Sequence, residues 1–311
     1  MKTACNSFGL CLLAIVGCND EKGETTTRGN LHVLIAESIA PPMVEEVNAF
    51  LELYAQNGAH ITYEIASTDE VIRRMAKDTA RFIVTTRAMT DTERKQLPVV
   101  RGFDLTELVV AYDAIAVVVQ DKNPVTEITM GNVANILSGK ITRWEQLVRS
   151  ASMKGKIELF YQDSSDVASF VDSRVLHGQP VRKDARRTGS SLETLRLVAN
   201  NPTSIGLVGI TWIDSARVSA RALLVAETRQ EPDTTYPVPR EAIGKFFSPH
   251  PANVYRNYYP LKRGIYVYTF GPIASLAAGF NSYVATANGQ RLFLNRKIVP
   301  ATQNIRIKGY D

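Results

Sequence analysis

Between residues 31 and 86 the sequence alternates short apolar runs with amphipathic ones, and this order restricts the fold more than any other property of the chain. LHVLIAE (31–37) is bounded by turn formers and is short enough for a buried strand. From Pro41 to about Gln56, Val44, Val47, Phe50, Leu51 and Tyr54 recur on one face at helical spacing. The proline pair suits the first turn of that helix, and Asn57-Gly58 is a C-terminal stop. HITYEIA (60–66) predicts a strand, Thr68 to Lys77 a helix and RFIVTT (81–86) a third strand. Such a β-α-β-α-β order predicts a parallel sheet with helices on both faces, because parallel strands need long crossovers and helices supply them.

A strand-like run from Leu105 to Gln120 is far longer than the usual five or six residues, so it is expected to serve two sheets in succession. A second alternating series follows it. It comprises a helix near Met130 to Leu137, a strand KIELFYQ (156–162), a helix from about Asp166, a helix SLETLRLVANN (191–201) and a strand SIGLVGITW (204–212). Leu261 to Phe270 reads as a second long strand, and an amphipathic helix and tail (272–311) return the chain to the first lobe. With 311 residues, two lobes, each burying its own core, suit the length better than one. The stretch from Ala226 to Val254 holds five prolines and is expected to be an irregular excursion.

All three cysteines, Cys5, Cys11 and Cys18, precede residue 19, so a disulfide framework, a cysteine zinc site and a cysteine nucleophile are excluded from the body. MKTACNSFGLCLLAIVGC has one lysine, then an apolar run from Phe8 to Val16 that is too short to span a bilayer and reads as an export signal. Ile15-Val16-Gly17-Cys18 resembles a bacterial lipobox, which would make Cys18 the acylated N-terminus, with residues 19–30 as a flexible tether. A plain secretory signal is the alternative. Beyond Cys18 no apolar window is long enough for a membrane span, and a soluble body is expected.

His32, His60, His177 and His250 lie far apart and lack the spacing of a helical metal site. The serine-hydrolase elbow, the P-loop and the dinucleotide fingerprint are all missing. The net charge of +5 comes from scattered basic residues, which argues against nucleic acid but suits a small anion. What recurs is a hydroxyl where a strand hands over to a helix: Ser38, Ser67 with Thr68, and Ser164 with Ser165. Ser67 to Glu70, Thr90 to Glu93 and Ser190 to Glu193 are also capping boxes. In an open α/β sheet these turns lie at the carboxyl ends of the strands, where helix N-termini offer N–H groups to an anion. The third strand ends in Thr85-Thr86-Arg87, placing a forked donor beside those hydroxyls; the alternative for Arg87 is a surface pair with Asp91 or Glu93.

VTTRAMTDTE (84–93), YDAIAVVVQDKNPVTEITMGNVANILSGKITRWEQL (112–147), SIGLVGITW (204–212) and FNSYVATANGQRLFLNRKIVPAT (280–302) together resemble the phosphate-binding (PstS-like) lipoprotein class of substrate-binding proteins from phosphate ABC transporters. That class is a branch of the type II periplasmic binding proteins, and the resemblance runs from about residue 31 to the end. It implies an α/β fold of two lobes, each a mostly parallel sheet flanked by helices, joined by two crossover strands. Residues 31–114 and 266–311 would form the first lobe and 115–265 the second. It also implies a non-enzymatic, cofactor-free monomer, anchored by lipid on the outer side of a bacterial membrane, that passes phosphate or a related oxyanion to a permease.

Carried over by position, Ser38, Ser67, Thr68, Thr86 and Arg87 would bind from the first lobe, and Ser164 and Ser165 from the second. Where many members read R-x-D-x-S-G-T, this chain has Phe160 to Asp166, FYQDSSD, without the arginine or the threonine. Arg87 is therefore expected as the principal cation, with Arg186 and Arg187 next, and Asp166 adds a negative charge near the anion. A sensor or adhesion lipoprotein with another ligand or none is the second reading, and a phosphate-ester hydrolase, lacking a visible catalytic set, the third.

Overall fold

The computed structural model describes residues 23–99, 104–147, 153–230 and 235–303; the leader, the lipobox and Cys18 lie outside these. The first lobe begins with β1 (Gly29–Ala36), α1 (Ala40–Tyr54), β2 (Ala59–Ala66), α2 (Thr68–Ala76), β3 (Phe82–Thr85) and α3 (Asp91–Lys95). The alternation thus yields the predicted order, and Gly58 ends the first helical segment at φ 93°, a left-handed conformation that glycine adopts without strain. β4 (Thr106–Gln120) leads into β5 (Glu127–Thr129), α4 (Met130–Ser138), β6 (Glu158–Tyr161), α5 (Asp166–Val171), β7 (Arg186–Arg187), α6 (Ser191–Asn200), β8 (Ser204–Gly209) and α7 (Thr211–Ala216). The chain ends with β9 (Ala220–Ala222), β10 (Leu224–Ala226), α8 (Pro251–Tyr255), β11 (Lys262–Thr269), α9 (Leu276–Ala285), α10 (Ala287–Asn295) and β12 (Val299–Pro300).

β2, β1 and β3 pair in parallel, and β11 runs antiparallel between β3 and β4. β4 belongs to two sheets. Its residues up to Ala114 pair with β11, whereas Ile115 to Val118 pair with β8, which continues in parallel to β6 and β7. The change of partner between Ala114 and Ile115 is what a strand of this length allows. β11 pairs with the first sheet from Lys262 onward, so the chain returns there before residue 266. β12 also joins β4, opposite Tyr112 and Ala111.

Burial follows the sheets. On one face of the first sheet Phe50, Phe280 and Phe293 of α1, α9 and α10 are buried, with Phe50 and Phe280 edge to face at 5.4 Å. Its other face is covered by Val71, Ile72 and Met75 of α2. Trp144, which follows the GKIT turn, is buried under the second sheet and donates its indole N–H to the Thr203 carbonyl at 2.8 Å. Part of the proline-rich excursion is ordered: β10 pairs with β5, and Tyr236 packs edge-on against Tyr112 at 5.7 Å.

The tether expected over 19–30 ends early. Glu24 accepts a hydrogen bond from the Leu276 N–H at the start of α9, at 3.0 Å, and Gly29 is already in β1, its N–H on the Gly58 carbonyl. The segment docks because a carboxylate suits a helix N-terminus and because Gly279 lets the Thr26 backbone lie directly on α9. A Cβ at Gly279 would overlap the Thr26 carbonyl. Gly279→Ala is therefore expected to lower stability by about 1–3 kcal/mol through overpacking, although alanine is the better helix former. A urea midpoint at or above that of the parent would show that the segment is not docked.

Candidate oxyanion site between the lobes

Each strand of the first lobe delivers a polar group to one place. After β1 the turn at Glu37, Ser38 and Ile39 turns the Ser38 N–H and hydroxyl toward the second lobe. After β2 Ser67 caps α2, its hydroxyl accepting the Glu70 N–H at 3.3 Å. The next N–H, that of Thr68, is left to point outward, as helix geometry requires of a first-turn donor. After β3 the Thr86 N–H donates to the Thr68 hydroxyl at 3.2 Å, and the two hydroxyls lie 3.1 Å apart. Ser38, Thr68 and Thr86 are all buried.

A carboxylate of the second lobe fills the point where these donors converge. Asp166, the first residue of α5, accepts through Oδ2 from the Ser38 N–H at 2.9 Å and the Ser38 hydroxyl at 2.6 Å. Its Oδ1 accepts from the Thr68 N–H at 2.5 Å. Behind Ser38 stands Arg263 of β11, whose Nη2 donates to the Ser38 hydroxyl at 2.8 Å. The same guanidinium donates to Asp113 of β4 through Nε at 3.0 Å and Nη2 at 2.6 Å. Burial pushes the Asp113 carboxyl above the usual carboxylate range, and Arg263 opposes that rise. Arg263 Nη1 is buried with no hydrogen-bond partner among the described residues. A cleft of about 360 Å³ adjoins the site, bordered by Arg263, Lys262, Arg174 and Tyr236; burial lowers the Lys262 ammonium to about 8.

The lobes meet in a second, reciprocal contact. Glu37 of the first lobe accepts from the Ser191 N–H at 3.0 Å and the Ser191 hydroxyl at 2.8 Å, at the start of α6 in the second. Burial raises the Glu37 carboxyl while the two Ser191 bonds lower it. Gly209 at the end of β8 lies so close to the Ser38 carbonyl that a Cβ would overlap it, and the Trp212 indole donates to the Glu37 carbonyl at 3.1 Å.

A two-lobed α/β body with strand-to-helix turns facing an interlobe anion invites comparison with known proteins. The profile of a PBP superfamily domain matches residues 20–288 of the chain. The chain belongs to the PBP superfamily. Among curated PBP-type relatives, the phosphate-binding protein PstS of Pseudomonas aeruginosa is 23% identical over 294 residues, covering 90% of this chain and 85% of PstS. PstS of Borreliella burgdorferi is 24% identical over 221 residues, covering 68% and 69%. Of solved structures, one with bound phosphate from Clostridium perfringens has a TM-score of 0.70 at 18% identity, covering 88% of this chain and all of that one. An ABC-type phosphate transport receptor from Vibrio cholerae has a TM-score of 0.65 at 19% identity, covering 87% and 100%. The fold is that of the type II periplasmic binding proteins, and the homologues are non-enzymatic solute-binding proteins.

Within this PBP superfamily frame the structure sorts the residues singled out from sequence. Ser38, Thr68 and Thr86 come together. Ser67 and Ser165 serve as caps, the Ser165 hydroxyl accepting the Ala168 N–H at 3.0 Å and donating to the Gln162 carbonyl at 2.8 Å. Ser164 is exposed on the preceding loop in a left-handed conformation, φ 53°. The guanidinium of Arg87 is held by Glu93, at 2.8 and 2.7 Å, and by Asp69 at 2.8 Å, while its side chain borders a small cavity beside Asp166. This is the surface-pair alternative for Arg87, and the pairing pushes the Glu93 carboxyl down to about 2. Arg186 and Arg187 pair with Glu158 and Asp163 on the exposed edge. The cation at the seat is instead Arg263, which gave no signal in the sequence beyond its place within a long strand. Among the described residues no cluster of His, Cys, Asp and Glu could hold a metal ion, and no helix is long and apolar enough to cross a membrane.

Proposed function

We propose that the protein is an extracytoplasmic solute-binding lipoprotein that captures a small oxyanion, phosphate first among them, between its lobes and hands it to the permease of an ABC transporter. One observation carries this reading. Two N–H groups and a hydroxyl from separate strand-to-helix turns converge on a single anionic group, with a buried arginine behind them. Such a set of neutral donors suits a dehydrated oxyanion, because it supplies charge-assisted hydrogen bonds at fixed positions. The printed names of the PstS relatives and the phosphate-bound neighbour support phosphate as the ligand to test first. Calorimetric titration of the mature protein with phosphate, and separately with sulfate, is the test. One saturable site for phosphate is expected; no heat with phosphate at millimolar concentration would overturn the reading.

The membrane attachment rests on the lipobox-like Ile15-Val16-Gly17-Cys18. Cys18→Ala is expected to release the protein from the membrane fraction, and unchanged fractionation with an unaltered precursor mass would count against acylation. A second reading, a sensor or adhesion lipoprotein that keeps the fold, is favoured by the carboxylate of Asp166 in the seat. Under that reading neither oxyanion gives heat.

A further inference from the structure

The donors that would recognise a solute are already engaged by a side chain of the protein itself. Asp166 is 3% exposed, and both of its carboxylate oxygens lie on first-lobe donors although its backbone belongs to the second lobe. A solute held between two lobes does the same work: it places negative charge on the Ser38 and Thr68 N–H groups and ties the lobes through it. An anion attached to the chain does this without a translational penalty, at an effective concentration that dissolved ions rarely match. The reciprocal contact strengthens the closure, since Glu37 of the first lobe occupies the N-terminus of α6 in the second. Ser169, one turn along α5 from Asp166, also donates to Asp69 of the first lobe at 3.1 Å. Two carboxylates thus reach in opposite directions across one interface.

An incoming oxyanion cannot share the seat with Asp166. The donors are engaged, and two negative groups at hydrogen-bond distance from the same N–H would repel each other in a buried setting. Resting on the oxyanion reading of the seat, we propose that Asp166 is its resident occupant: it holds the lobes closed without solute, and any solute oxyanion must displace it by way of an open state. The apparent affinity is then the intrinsic affinity reduced by the fraction of molecules in which the seat is free. A closed, self-occupied form favoured tenfold to a hundredfold would weaken binding by the same factor.

The test compares the mature parent with Asp166→Ala by phosphate calorimetry and small-angle scattering, with Asp166→Ser as a second variant that keeps a polar residue at the start of α5. Circular dichroism identifies any variant that fails to fold. Phosphate is expected to bind the variants at least about tenfold more tightly than the parent. The parent should show one compact radius of gyration with and without phosphate, whereas the variants should expand without phosphate and contract with it. Equal or tighter binding by the parent, together with a parent that contracts on adding phosphate, would overturn the resident-occupant proposal and leave the phosphate reading standing. Variants that expand but bind no phosphate would support the resident occupant and overturn the phosphate reading.

Discussion

Arg263→Leu is expected to lower the stability of the protein by about 3–5 kcal/mol, because it leaves a buried carboxylate without its partner. Asp113 has no exposed side-chain surface, and its ion pair with Arg263 at 2.6 Å is the contact that offsets its desolvation. The double variant Arg263→Leu with Asp113→Leu should recover most of the loss, since two apolar residues leave no buried charge behind. Urea unfolding of the two single variants and the double variant measures the coupling. A single-variant loss below about 1 kcal/mol, as an exposed pair would give, would show that the pair does not hold the two strands together. The same substitution removes the donor behind the Ser38 hydroxyl, so phosphate affinity should fall in the double variant even where stability is restored.

The second large effect concerns pH. Glu46 lies in α1 with no exposed surface, both carboxyl oxygens are without hydrogen-bond partners among the described residues, and burial pushes its pKa up to about 8. An ordinary unfolded carboxyl titrates near 4.5, so between 4.5 and about 8 the folded state carries a proton that the unfolded state has released. Stability therefore falls as pH rises through this window, by at most about 1.4 kcal/mol per pH unit. Below 4.5 both states are protonated and the contribution of Glu46 is constant. Glu46→Met keeps the bulk and removes the titration, so it should raise stability at pH 8 by a few kcal/mol and flatten the slope between pH 5 and 8. Melting curves of parent and variant that run parallel across that range would refute the assignment.

These residues also show where sequence reasoning reaches and where it stops. The turns at Ser38, Ser67 and Thr86 were legible because alternation of strand and helix fixes where each strand ends, and the ends of neighbouring parallel strands lie on one edge. The double role of β4 was legible from length alone. Arg263 was not, because it sits in an interior strand whose neighbours read as ordinary alternation, and the pairing of β11 with β4 that sets it beside Asp113 and Ser38 is a long-range event. Glu46 escaped for a related reason: helical periodicity marks the face of α1 that carries Val47 and Phe50 but says nothing of further elements covering its flank, and α7, α9 and α10 all pack on α1. Asp166 was visible as a charge near the expected anion. That it replaces the anion depends on where α5 starts relative to Ser38 and Thr68, which local sequence does not encode.

The order of the strands also sets a timetable for a chain made from its N-terminus. The second lobe is complete once the ribosome has passed α8, but the first must wait, because β11 is inserted between β3 and β4 and arrives only at Lys262. Until then Phe82 to Thr85, four buried apolar or hydroxyl residues in the finished protein, form an unpaired strand edge with exposed amides. Closing that gap is a contact of very long sequence separation, the kind that folds slowly and aggregates if left open. A nascent chain of this architecture consequently depends on something to cover β3 until its last quarter has been synthesised, and any truncation that removes β11 forfeits the first lobe while sparing the second.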